Sequence, residues 1–124
     1  MTEQIAKQFV NPDEDVMMAV KVSKKSSTWE LRSDRIFIIT TERIYTFNSG
    51  KKSRGYRIKD LGAILKCTEN KEFMLFFPQQ DDLRVLSEDR EDLLNTIKLR
   101  FVCLNRDITL PVFGVDARGM TVFH

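Results

Sequence analysis

Histidine is almost missing from this 124-residue chain: the one imidazole is His124, the last residue. Catalysis by an imidazole partnered within a fold, or a His-rich metal site, is therefore not expected. Cysteine is scarce too. Nothing suggests an extracellular disulfide framework, so Cys67 and Cys103 read most simply as core thiols of an intracellular protein, a bond between the two being the alternative. Long apolar runs are absent: stretches such as Phe73 to Pro78 fall far short of the roughly 20 residues that span a bilayer. The N-terminus carries Glu3 and Lys7 and then a run of acids, without the basic-then-apolar pattern of a secretory leader. No glycine-rich phosphate loop, nucleophile–base pair or metal-ligand cluster is in view, so neither an enzyme nor a cofactor is expected.

What is present is an ordinary globular composition, 42% hydrophobic and 31% charged, which argues against disorder and for one core. The net charge of +2 hides a strong asymmetry. Between Lys21 and Lys59 eleven Lys and Arg face three acids, a local net of +8, which leaves −6 for the rest. Such polarity suits an electrostatic binding face on an acidic body.

The order of elements points to a small β domain. Residues 1–15 read as a lead-in, broken at Asn11-Pro12-Asp13. Val16, Met18, Val20 and Val22 alternate with Met17, Ala19 and Lys21, as in a half-buried strand. Further strands are expected at Trp29 to Ile39, Ile44 to Phe47, around Tyr56 and Ile58, Leu61 to Cys67, Glu72 to Phe77 and Leu83 to Leu86. Ser87 is a candidate N-cap, and Glu88, Asp89, Glu91 and Asp92 suit the start of a helix. Leu93, Leu94, Ile97, Phe101 and Leu104 then recur at helical spacing. Phe73, Phe76, Phe77 and Phe101 are expected in the core, Trp29 in the core or at a strand cap, and Tyr45 and Tyr56 packed with satisfied hydroxyls. Asp81-Asp82 reads as a turn. After Asn105, the extended, proline-marked Ile108 to Phe113 belongs to a 107–124 extension, packed on the 16–106 domain or adding an edge strand.

Seven strands and a C-terminal amphipathic helix are the order of the pleckstrin-homology fold, and residues 16–104 resemble that superfamily. Asp34-Arg-Ile-Phe-Ile-Ile-Thr-Thr-Glu-Arg-Ile-Tyr-Thr-Phe47, then 57–64, 73–76 and 81–87, look like the tail-homology-1 domain of class I myosins. The resemblance implies a mainly β, seven-stranded antiparallel barrel or sandwich capped by the helix. It also implies phosphoinositide binding near the first two loops, through a Lys late in the first strand and a basic-x-Arg pair in the second. Here Lys21, Lys24 or Lys25 supplies the first element and Arg32 or Arg35 the second. Glu30-Leu31-Arg32-Ser33-Asp34-Arg35 contains no clean basic-x-Arg pair, so a looser electrostatic surface joined by Lys51, Lys52 and Arg54 is expected.

The residues support this independently. Lys24, Lys25, Lys51, Lys52 and Arg54 fall in loops that a meander brings out at one end. Each basic group near an anionic leaflet is worth about 1 kcal/mol. The expected partners are anionic membrane lipids, phosphoinositides among them, for a cytoplasmic protein peripheral to membrane or cytoskeleton. A protein partner at the helix or a sheet edge is the alternative. Nucleic acid ranks behind both, since the basic residues are not interleaved with exposed aromatics.

Overall fold

The computed structural model describes residues 10–25, 32–48, 51–53 and 55–122. Among the described residues nine strands form one sheet: β1 Val16–Lys25, β2 Arg32–Thr40, β3 Arg43–Asn48, β4 Lys51–Lys52, β5 Tyr56–Arg57, β6 Ala63–Cys67, β7 Glu72–Phe76, β8 Leu83–Leu86 and β9 Val112–Val115. Helix α1 spans Arg90–Leu104 and a short α2 spans Ala117–Val122. The sheet order is β4-β3-β2-β1-β8-β7-β6-β9, with β5 also paired to β3.

This corrects the seven-stranded antiparallel barrel. Among the described residues the sheet is mixed and does not close. Because β6 keeps an unclosed edge, the chain returning after α1 lays β9 along it in parallel, from Ile64 opposite Val112 to Cys67 opposite Val115. A helical crossover is the connection that parallel pairing needs. Pro111 costs the ladder nothing there, because β6 uses its carbonyl: the Ile64 N–H donates to it at 2.9 Å.

The expected fourth strand divides in two. Opposite β3, Ser53 takes a ladder position with its side chain, its Oγ accepting from the Thr46 N–H at 3.0 Å and from the Gly55 N–H at 3.3 Å. Gly55 then turns with φ 89°, where a Cβ would lie 2.8 Å from Tyr45 Cε1. The extra residue breaks the ladder as a bulge does. A second irregularity lies between Val16 and Met18 in β1. It moves Val16 to the outer cluster with Ile38 and Tyr45, whereas Met18 and Val20 face the main core. Strict alternation from Val16 fails for that reason.

The main core lies between the sheet's inner face and α1, built from Val22, Phe37, Ile39, Ile44, Phe73, Leu75, Phe77, Leu83 and Val85 against Leu93, Leu94, Ile97 and Phe101. Each such side chain contributes about 1.5–3 kcal/mol of burial. Two residues expected in the core are exposed. Phe76 lies on the outer face of β7, 41% exposed, and Cys103 is exposed on α1.

The helix begins later than Ser87. Ser87 instead shapes the preceding turn, its Oγ accepting from the Asp89 N–H at 3.1 Å. Asp89 holds the cap position with no side-chain cap bond. What fixes α1 on the sheet is Arg90, whose Nη1 donates to the carbonyls of Cys67, Asn70 and Glu72 at 2.8–3.1 Å. Two acids here serve as ion-pair partners, Glu88 before the helix to Lys71 and Glu91 in its first turn to Lys66 and Arg90. Those hydrogen bonds from Lys66 and Arg90 hold the Glu91 carboxyl below its ordinary pKa.

Candidate functional site

Strand register decides which basic residues can act together. Lys25 pairs with Arg32 and Lys24 with Ser33 at the β1–β2 end. Asn48 pairs with Lys51 and Phe47 with Lys52 at the β3–β4 end. Since Ile36 lies opposite Phe47, both hairpin ends leave the sheet on one side. The β7–β8 turn emerges there too, because β8 runs antiparallel to β1, with Leu86 opposite Ser23 and Val85 opposite Lys24, so that its start points past the end of β1. Lys24, Lys25, Arg32 and Lys51 enter by strand position alone. Arg54 lies outside the described residues, as do Trp29 and the lead-in before Val10.

The two faces at this end differ. On the outer face, Lys21, Ile36, Phe47 and Lys52 lie abreast in one row across four strands. Ile36 and Phe47 are half-buried and Lys52 is exposed. Lys52 Nζ stands 5.0 Å over the Tyr45 ring, a cation–π contact that keeps the ammonium on this face. Beside it, Lys21, Asp34, Arg35, Ile36, Phe47 and Asn48 line a groove of ≈ 260 Å³. Arg35 is out of step with Lys21: it lies opposite Val22, a core residue, and its Nη1 donates to the Asp34 carbonyl at 2.9 Å.

The second space at this end is polar and carries an acid. Ser53, Gly55, Tyr56, Gln79, Gln80 and Asp81 line ≈ 390 Å³ between the β4–β5 kink and the β7–β8 turn. Burial, and then the Asp81 charge, push the Tyr56 hydroxyl above its ordinary pKa. The Tyr56 ring packs at 5.1 Å on Phe77. None of the described residues named for headgroup binding lines this space.

Two cations of the +8 segment are removed from the site by ion pairs at the other end of β3, where Arg43 lies opposite Arg57. Arg57 pairs with Asp60 at 3.8 Å. Arg43 pairs at 2.8 Å with Glu14, whose side chain is fully buried. Glu14 also accepts from the Thr40 hydroxyl and from Tyr45 Oη at 3.0 Å, so the Tyr45 hydroxyl is satisfied as expected. Burial pushes the Glu14 carboxyl up, but these donors outweigh it and hold it below the ordinary 4.5. The sequence offers no signal for this cluster, since its members lie 26 to 31 residues from Glu14.

Toward the opposite edge of the sheet from β2–β4, the outer face of β6, β7 and β9 carries an apolar groove of ≈ 450 Å³, lined by Ala63, Leu65, Met74, Phe76, Phe113, Gly114 and Val115. Among the described residues no group of three or more His, Cys, Asp or Glu has metal-holding geometry, and no helix is long and apolar enough to cross a membrane.

No family model matches the sequence, and no curated protein does. Solved structures do. The hSac2 domain of the human phosphoinositide phosphatase Sac2 superposes with a TM-score of 0.66 at 9% identity, over 93% of this chain and 87% of that one. The N-terminal PH domain of human ARAP2 gives 0.64 at 11% identity, over 74% and 84%. The carboxyl-terminal PH domain of pleckstrin gives 0.60 at 8% identity, over 69% and 97%. At these identities the likeness establishes the architecture: this chain has a pleckstrin-homology-like fold, mainly β with a helix across its core.

Proposed function

We propose that this chain is a non-enzymatic binding module that docks on an anionic membrane surface, phosphoinositide-containing or otherwise, through the basic end of its sheet. The observation that supports it is the register: it sends the β1–β2 and β3–β4 hairpins, which carry Lys24, Lys25, Arg32, Lys51 and Lys52, out of the sheet on the same side. Lys21 and Arg35 lie a few residues inward along β1 and β2, and Arg54 follows β4 in sequence. The superposed Sac2 domain comes from a phosphoinositide phosphatase, which is in keeping with this reading. The similarity of residues 34–47 to class I myosin tails also belongs to the proposal and rests on sequence.

Co-sedimentation with phosphatidylcholine vesicles, with and without phosphatidylserine or a phosphoinositide, tests it. Binding should require the anionic lipid, weaken with salt, and fall steeply when Lys24, Lys25, Lys51 and Lys52 are replaced by Glu. Equal sedimentation with neutral vesicles, or survival of binding in that variant, overturns the proposal.

The apolar groove beside β9 favours a second reading, a protein-interaction module in which an extended apolar peptide adds to the β9 edge. In that case Phe76→Ser and Phe113→Ser would abolish partner binding while leaving vesicle binding intact.

A further inference from the structure

Granting the membrane reading, the contact surface can be placed on one face of the sheet. We propose that the lipid surface is met by the outer face of β1–β4, along the row Lys21–Ile36–Phe47–Lys52, and not by the space between the β4–β5 kink and the β7–β8 turn.

Three observations carry this. Within the row two lysines flank two half-buried apolar residues. Adjacent strands lie about 4.8 Å apart, so the backbones of Lys21 and Lys52 are about 14 Å from one another. Two cations at that spacing, with apolar side chains between them, match a surface of anionic headgroups over acyl chains better than one small ligand. The Tyr45 ring holds Lys52 on this face, and Tyr45 is itself anchored by the buried Glu14; the cation is prepositioned, which lowers the entropy cost of contact.

The described lining of the competing space carries an acid where a phosphate would sit. Among the described residues its lining of Ser53, Gly55, Tyr56, Gln79, Gln80 and Asp81 holds a carboxylate and no cation. Asp81 is close enough to Tyr56 to oppose ionisation of its hydroxyl, and it would repel a phosphate in the same way. The outer face has an acid of its own, the exposed Asp34 in the groove beside Lys21, and this gives the proposal a sharp test.

Each face carries one removable acid, so converting each to a cation reports where the lipid sits. Affinity for phosphatidylserine-containing vesicles is measured for the wild type, Asp34→Lys, Asp81→Lys and Lys21→Glu, with thermal unfolding as the folding control. With about fivefold per charge near the leaflet, Asp34→Lys should tighten binding by about five- to thirtyfold and Lys21→Glu should weaken it by a similar factor. Asp81→Lys should change it less than about twofold. Equal gains for the two Asp variants, or a larger gain for Asp81→Lys, overturn the assignment of the face while leaving the membrane reading standing. A wild type that ignores anionic vesicles overturns the membrane reading itself. The gain expected of Asp34→Lys keeps the test decisive even if Lys21→Glu fails to fold.

Discussion

The two outer faces of this one sheet are finished in opposite ways, and each hides a buried carboxylate beneath its finish. On β1–β3 the face is amphipathic, and Glu14 is paired with an Arg43 that remains 32% exposed. On β6–β8 the face is apolar, half covered where Met120 of α2 packs on Leu65, Cys67 and Met74. There Glu72 pairs with Arg84, both only 3% exposed. One pair keeps a partner in water and the other is dry. The lesson is that burial of both partners, more than the presence of an ion pair, sets how much its loss costs.

That contrast can be broken experimentally, and the largest effect should come from the dry pair. Glu72→Ala removes the Glu72 carboxylate from a buried guanidinium and should cost about 3–5 kcal/mol in urea unfolding. That is a large share of the stability of a domain this size. Replacing both partners, Glu72→Met with Arg84→Leu, should recover most of the loss; failure to recover would assign the cost to packing instead of charge.

Glu14→Gln should cost less, about 1–2 kcal/mol at neutral pH, because Arg43 can turn to solvent. Its pH dependence is the sharper readout. The folded carboxyl titrates below its ordinary 4.5. Its stabilisation is therefore present above that value and is lost as pH falls through the folded pKa. The gap between wild type and Glu14→Gln should close on acidification; a gap that stays constant to low pH would show that the carboxylate charge contributes nothing.

The smallest effect should be at the uncovered part of the apolar face. Phe113 is 55% exposed, so Phe113→Ser should shift the melting midpoint by no more than about 0.5 kcal/mol equivalent. Self-association at high concentration should fall, since β9 presents an uncharged edge. A large loss of stability would mean that Phe113 is a packing residue after all.

Much of this was legible in the residues. The period-2 strands, the helical stripe of Leu93, Leu94, Ile97 and Phe101, and the turns at Thr68 to Lys71 and Pro78 to Asp81 follow from local pattern, and the structure agrees. Phe76 was not legible. Phe73 to Phe77 reads as one apolar run, and only the presence of α1 on one face and the limited reach of α2 on the other decide which phenylalanine is covered. The basic residues were legible as a composition but not as a surface. Arg43 and Arg57 belong to the same run as Lys21 and Lys52, yet ion pairs with Glu14 and Asp60 withdraw them.

The sequence by itself determined the order of the main strands, the helix that follows them and the apolar stripe that this helix lays on the sheet. These depend on periodicity and turn chemistry within a few residues of each position. Only the tertiary structure decided that the sheet stays open and that β9 adds in parallel. It alone decided that Glu14 joins Thr40, Arg43 and Tyr45, and that Lys21 and Lys52 share a row while Arg35 lies opposite Val22, out of that row. Those outcomes depend on register across strands distant in sequence, where one bulged residue reverses a face.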